Sequence, residues 1–197
     1  VAGVQKADVH FLRYPDGALK DVPRDELVEK IARVLGPARP HVVVTFGPEG
    51  ITKHDDHITI GAAGTEAFHM ARAEAQQEGA SDGAFGRLLY NAIPTSAIER
   101  LWEQLRARGV DVGDPEGPFM PRGVPDDTIT HRVDCSSVVK RKLDAVRAHR
   151  TQQVELDYLP EDLQPEILGW EYFVQAFPPV TAAVARPAGS IFESLEA

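Results

Sequence analysis

Residues 45–57 read Thr-Phe-Gly-Pro-Glu-Gly-Ile-Thr-Lys-His-Asp-Asp-His, and this stretch decides the fold that we expect. The apolar run at 42–46 stops at a Gly-Pro turn, and a loop with a second glycine then leads to His54 and His57. This order predicts a central parallel strand, a turn and the start of a helix. Open α/β sheets bind their ligands at the carboxyl ends of the strands, so the two histidines are predicted at a ligand-binding edge.

The spacing of the two histidines places both imidazoles on the same face of the predicted helix. Histidine is the commonest metal ligand and the commonest general acid or base near neutral pH. A second interpretation needs no site: His54 is then a solvated residue at a helix start, where Asp55 and Asp56 complement the helix dipole. The residues alone leave both interpretations open.

Strands and helices are predicted to alternate along the chain. Gly, Pro and Asp are abundant at 111–127, and so long a loop in a compact domain is commonly a lid or a binding loop. A capping-box pattern, Ser96-Ala-Ile-Glu99, predicts the start of another helix. The alternation predicts an α/β, Rossmann-like three-layer fold with a mainly parallel sheet in residues 1–177, followed by a Pro- and Ala-rich tail at 178–197. The predicted strands lie at 9–12, 42–46, 87–92, 129–133 and 169–177.

Composition excludes several classes of protein. The formal net charge of −9 argues against a nucleic-acid-binding surface, and no apolar run approaches the length of a membrane span. Cys135 is the only cysteine, so the chain forms no internal disulfide and a reducing, cytoplasmic location is expected. For Cys135 itself we favour a small buried residue over a nucleophile.

Residues 45–61 resemble the second conserved motif of the PIG-L/LmbE-like N-acetylglucosaminyl deacetylases, Thr-Phe-x-Pro-x-Gly-x-x-Gly-His-Pro-Asp-His. Weaker resemblances at 9–17, 142–152 and 171–173 follow in the family's order, so the similarity covers about residues 1–173. Lys53 and Asp55 stand where the family has Gly and Pro.

The family's first motif, His-Pro-Asp-Asp-Glu, is absent from the sequence. Residues 1–9 resemble the end of the family's second helix, and we therefore expect that the chain lacks the N-terminal strand–helix units of a family member. The fragment alone is expected to be inactive. Another N-terminal fragment or a second copy of the chain is a candidate partner.

The resemblance implies roles for six residues. His57 corresponds to a Zn²⁺ ligand, and His54 to the histidine that stabilises the oxyanion or protonates the leaving amine. Asp16 corresponds to a turn residue that contacts a sugar hydroxyl, although a plain turn residue is an equal alternative. Asp56 corresponds to an aspartate that orients a histidine rather than binding the metal, and His149 and Gln152 correspond to supporting residues around the site. For His149 and Gln152 we favour a plain helix C-terminus, where histidine suits the helix dipole.

The implied function is zinc-dependent removal of an N-acetyl group from an amino sugar or its conjugate. The implied partner is a small N-acetylated amino sugar. Two alternatives remain: a sugar-binding relative without catalysis, and an assembly subunit of the same fold. The sequence leaves open which acetylated sugar would be used.

Overall fold

The computed structural model describes residues 3–79, 83–118, 120–150, 160–181, 184 and 186–195. The helices are α1 Arg24–Ala38, α2 Gly50–Lys53, α3 Asp55–Gln77, α4 Thr95–Ala107, α5 Val139–Arg147 and α6 Gln164–Leu168. The strands are β1 Val42–Phe46, β2 Arg87–Ala92, β3 His131–Asp134 and β4 Trp170–Phe177. Short 3₁₀ helices span Lys6–Asp8, Leu19–Asp21, Asp126–Thr128 and Ser136–Val138.

The four described strands form one sheet in the order β1-β2-β4-β3. Strands β1 and β2 are parallel, whereas β4 runs antiparallel to both β2 and β3. The predicted α/β, Rossmann-like class is confirmed, but the pairing in this part of the chain is mixed. An apolar run shows that a strand exists without showing its direction, so the sequence could not predict that β4 is antiparallel.

Strand β1 lies at an edge of the described sheet, where Val44 is 46% exposed. The prediction of a central position for this strand is therefore wrong for the part of the chain that the structure describes. Residues 9–12 form no strand, and Val9 and Phe11 are exposed. An extended segment becomes a strand only when a neighbour supplies ladder hydrogen bonds, and none pairs with it among the described residues.

Helix α3 packs closely on β1 because small residues face the strand. A Cβ atom added to Gly61 would lie 2.4 Å from the carbonyl oxygen of Phe46, and one added to Gly64 would lie 3.1 Å from Thr45 Oγ1. Helix α3 also buries Ala63 and Ala67 against α1, and it buries Phe68 against the sheet. This packing fixes the start of α3, and the histidines with it, at the carboxyl end of β1.

Helix α4 begins at Thr95 without the predicted capping box, since Ser96 lies inside the helix. The carboxylate of Asp126 instead accepts hydrogen bonds from the backbone N–H of Ser96, at 3.0 Å, and from its hydroxyl. This contact lowers the pKa of Asp126, because the hydrogen bonds stabilise the charged carboxylate. A distant residue replaces the local cap, which a local pattern cannot predict.

Residues 186–195 pack against the sheet through two features. The buried guanidinium of Arg87 donates to the carbonyl oxygens of Ile191 and Glu193, at 2.6 and 2.8 Å. His131 of β3 also forms a bridge with Ala188. None of the helices in the described residues is long and apolar enough to cross a membrane.

Candidate active site

The turn between β1 and α3 has an unusual backbone. Gly50, Ile51 and Lys53 have φ values of 59°, 61° and 55°, which lie in the left-handed region that favours glycine. Lys53 occupies the position at which the resemblance predicts a glycine, and its positive φ explains that preference. The turn brings His54 to the N-cap of α3 and His57 into its first turn.

His57 is oriented by two contacts. Its Nδ1 lies 2.9 Å from the carbonyl oxygen of Gly50, and its ring stacks on Phe46 with centroids 4.1 Å apart. Because a carbonyl oxygen only accepts, Nδ1 carries a proton, and in the neutral ring Nε2 keeps its lone pair. Metal-binding histidines are commonly oriented in this way, with one ring nitrogen donating to a carbonyl and the other free for the metal.

His54 has the opposite arrangement of its ring nitrogens. Its Nδ1 accepts the backbone N–H of Asp56 at 3.1 Å and so caps α3. In the neutral ring the proton is therefore on Nε2, which can donate a hydrogen bond. The two rings lie 5.0 Å apart, so a lone-pair nitrogen and an N–H donor belong to neighbouring imidazoles. The interpretation of His54 as a helix-start residue and the functional interpretation are thus compatible.

Asp56 ties the histidine turn to the turn that carries Asp16. Asp56 is 9% exposed, and its carboxylate accepts hydrogen bonds from the backbone N–H groups of Gly17 and Leu19, at 2.7 and 3.0 Å. The resemblance to the family implied that Asp56 orients a histidine. The structure shows that its backbone N–H contacts His54, whereas its side chain holds the other turn. Asp16 itself is exposed beside this contact.

A cavity of about 460 Å³ lies between these segments. His54 lines it, but His57 and Asp16 are not among its lining residues. The His57 ring lies 5.0 Å from the His54 ring, and Asp16 precedes the lining Gly17. A cavity of about 780 Å³ between α1 and α3 has no histidine among its described lining residues. The smaller cavity is lined by Gly17, Thr52, Lys53, His54, Asp55, Glu116, Gly117, Pro118 and Arg122.

Asp55, which lines the cavity, forms an exposed ion pair with Lys20, at 2.8 Å. The hydrogen bond from Lys20 lowers the pKa of Asp55 and keeps that carboxylate ionised at the start of α3. An acidic group there also complements the helix dipole.

His149, which the resemblance made a supporting residue, is not among the lining residues of this cavity. His149 is exposed near the end of α5, where its Nδ1 lies 2.9 Å from the carbonyl oxygen of Ala145. Gln152 lies outside the described residues.

Burial raises the pKa of the Cys135 thiol, which suits an unreactive residue.

Arg122 and Glu116 are cavity residues that the sequence did not single out. The long loop at 111–127 was predicted as a lid or binding loop, and its residues 116–118 do line the cavity. Contacts with the turn at 50–53 determine which side chains of this loop line the cavity. A local sequence pattern cannot predict those contacts.

The histidines at the start of α3 fit part of a zinc site. The Nε2 lone pair of His57 suits one ligand position, and catalytic zinc sites commonly use three protein ligands. Within the described ranges, no three His, Cys, Asp or Glu side chains gather in a metal-binding arrangement. The described residues therefore supply one oriented atom for the metal, Nε2 of His57, next to the His54 imidazole, whose Nε2 carries a proton.

Comparison with known proteins gives the same family as the motif. The family model PIG-L, GlcNAc-PI de-N-acetylase, matches residues 1–68. Three similar proteins are each named 1D-myo-inositol 2-acetamido-2-deoxy-alpha-D-glucopyranoside deacetylase. The protein from Kineococcus radiotolerans is 34% identical over 68% of this chain and 37% of its own length. Those from Rhodococcus jostii and Geodermatophilus obscurus are each 31% identical, over 80% and 85% of this chain and 55% and 65% of their own lengths.

The chain thus spans about half the length of the curated relatives that it matches. The matches extend well beyond the histidine motif, and the family model includes the turns that carry Asp16, His54 and His57. The chain belongs to the PIG-L/LmbE-like N-acetylglucosaminyl deacetylase family.

Proposed function

We propose that this protein hydrolyses the N-acetyl group of an acetylated amino sugar conjugate in a zinc-dependent reaction. The main support is the pair of imidazoles with opposite tautomers: His57 offers a lone pair at Nε2, and His54 offers a proton at Nε2. Their rings are 5.0 Å apart at the cavity edge. The names of the relatives support an acetamido-glucosyl substrate.

His57 is the residue that would hold the metal, and the contact with Gly50 keeps its Nε2 directed to that role. The chemistry that zinc supplies in hydrolases is activation of water and polarisation of a carbonyl group. Catalytic zinc sites commonly use three protein ligands, so residues other than His57 and His54 would supply the remaining ones.

His54 would act on the reacting amide through Nε2–H. A donor placed at the acetyl carbonyl meets the negative charge that develops on its oxygen, and the same proton can pass to the leaving amine. The bond from the Asp56 N–H to Nδ1 holds the ring in this tautomer. Asp16, on the turn fixed by Asp56, would meet a sugar hydroxyl.

The test uses the protein as its gene encodes it, incubated with 1D-myo-inositol 2-acetamido-2-deoxy-α-D-glucopyranoside. We expect acetate and free amine to appear in equal amounts, to stop after removal of metal by a chelator, and to resume when Zn²⁺ is returned. Acetate release that a chelator leaves unchanged would refute the zinc dependence. Binding of the sugar without acetate release, at full zinc occupancy, would favour a non-catalytic sugar-binding protein.

A further inference from the structure

The guanidinium of Arg122 is largely buried, with its side chain 14% exposed, and it holds one turn of the long loop. Its Nη1 donates to the carbonyl oxygen of Pro115 at 3.0 Å and to the Glu116 carboxylate at 2.7 Å. Its Nη2 donates to the carbonyl oxygens of Glu116 and Gly117, at 2.9 and 3.2 Å. One side chain therefore fixes three successive carbonyl groups.

The backbone of Arg122 is in turn fixed to the turn that precedes His54. Its N–H donates to the carbonyl oxygen of Ile51 at 2.5 Å. The next residue, Gly123, passes so close to α4 that an added Cβ would lie 2.6 Å from the Cα of Thr95. Val124 then donates to the carbonyl oxygen of Ile93, just beyond β2, at 2.9 Å. The loop end thus joins the carboxyl ends of β1 and β2.

These contacts make the turn at 115–117 a wall of the histidine cavity. Glu116, Gly117 and Arg122 line it together with His54 and Gly17. The Glu116 side chain is 81% exposed while its carboxylate accepts from Arg122, so the carboxylate keeps acceptor positions open toward solvent. Hydroxyl groups are donors that suit such an acceptor, and a sugar conjugate carries many of them.

We propose that Arg122 is a positioning residue whose guanidinium holds the turn at 115–117 as the wall that recognises the hydroxyl groups of the sugar conjugate. This inference rests on the proposed function for the identity of the ligand. The bonds from Arg122 keep the Glu116 carboxylate at a fixed place on the cavity rim. Lysine at this position has a single ammonium group and cannot bind the three carbonyls in the same planar pattern.

The test compares Arg122→Met and Arg122→Lys with a matched control, Arg108→Met, in the protein as its gene encodes it. Arg108 also donates to a backbone carbonyl and pairs with a carboxylate, that of Asp162, but it does not line the cavity. For the acetamido-glucosyl-inositol we expect Arg122→Met to raise KM about tenfold and to leave kcat within about threefold, because binding common to substrate and transition state is lost. Arg122→Lys should raise KM less, and Arg108→Met should leave it unchanged.

Hydrogen exchange provides a second readout that needs no turnover. The N–H groups of Glu116 and Gly117 bond to Asp114, and they should exchange faster in Arg122→Met than in the wild type or in Arg108→Met. Unchanged exchange at these amides would overturn the claim that Arg122 holds the turn. Faster exchange with unchanged KM would overturn the claim that the turn recognises the substrate.

The result also separates this inference from the proposed function. If the wild-type protein releases no acetate, the proposed function fails, and calorimetric Kd values for the same sugar conjugate replace KM. A Kd about tenfold higher in Arg122→Met than in the wild type would still support the claim that the turn at 115–117 recognises the sugar conjugate. Equal Kd values, or binding by neither protein, would overturn it.

Discussion

Lys53 is a non-glycine residue whose backbone has a conformation that favours glycine. Its φ of 55° lies in the left-handed region, where a non-glycine residue costs on the order of 1–2 kcal/mol. Replacement by glycine removes this strain but adds freedom to the unfolded chain, which offsets about 0.5–1 kcal/mol.

We therefore expect Lys53→Gly to raise the free energy of unfolding by up to about 1 kcal/mol. Urea denaturation of both proteins measures the difference. Gly79 has a φ of 78° with open space around it, so Gly79→Ala should have the opposite effect and serves as the control. A lower stability for Lys53→Gly would contradict this account of the turn.

His54 has a structural role that can be separated from its proposed chemical one. Alanine removes the N-cap acceptor and should lower the free energy of unfolding by about 1 kcal/mol, whereas asparagine is itself a good N-cap and should change it little. Denaturation of His54→Ala and His54→Asn measures this. Equal stability of the two variants would show that the bond from the Asp56 N–H to His54 does not stabilise α3.

The histidine motif could be predicted from the sequence because its members are close along the chain and follow a recognisable strand and turn. His54 lines the cavity, His57 lies beside it, and the Asp16 turn is joined to them through Asp56. Arg122 could not be predicted in the same way. It comes 68 positions after His54 in the sequence, and its role depends on the bond between its N–H and Ile51.

At the scale of elements, the close packing of α3 on β1 depends on the absence of a side chain at Gly61. An added methyl group at this position meets the backbone carbonyl of Phe46, which cannot rotate away. Because overpacking forces backbone shifts, Gly61→Ala should lower the free energy of unfolding by about 1–3 kcal/mol.

Gly36 is the matched control for this prediction. It also lies in a helix, α1, but an added Cβ would meet nothing within 4 Å apart from its chain neighbours, of which Pro37 is one. The better helix propensity of alanine, worth about 0.5–1 kcal/mol, is opposed by the contact between a Cβ atom and the following proline ring, so Gly36→Ala should change the free energy of unfolding little. Thermal or urea denaturation of both variants measures the difference. A stabilising Gly61→Ala would contradict the described contact between α3 and β1.

Elements were predicted well where their own residues determine them. The predicted strands at 87–92 and 169–177 correspond to β2 and β4, because each apolar run is bounded by turn or helix residues. Predictions of which segments of the chain pair with or cap one another were less successful. The edge position of β1, the missing strand at 9–12 and the cap of α4 by Asp126 all depend on segments distant in the sequence.

At the scale of the whole molecule, the proposed zinc dependence makes a prediction about the 197-residue chain. The resemblance to the family gives the role of zinc ligand to His57, and a catalytic zinc site commonly needs three protein ligands. We expect the purified chain to bind zinc poorly, at well under one ion per chain. Elemental analysis after gel filtration measures the content, with the His57→Ala chain as control. Tight stoichiometric zinc that disappears in His57→Ala would show that ligands are not missing.

The central claim is that the two histidines have different roles, and paired measurement of metal content and deacetylation in His57→Ala and His54→Asn tests it most directly. The protein as its gene encodes it is the material, and asparagine at 54 retains the helix cap. His57→Ala should lose metal and activity together. His54→Asn should keep its metal, lose about 10²–10⁴-fold in kcat, and lose one limb of the pH profile of kcat. Equal loss of metal in the two variants, or full activity in either, would contradict the account.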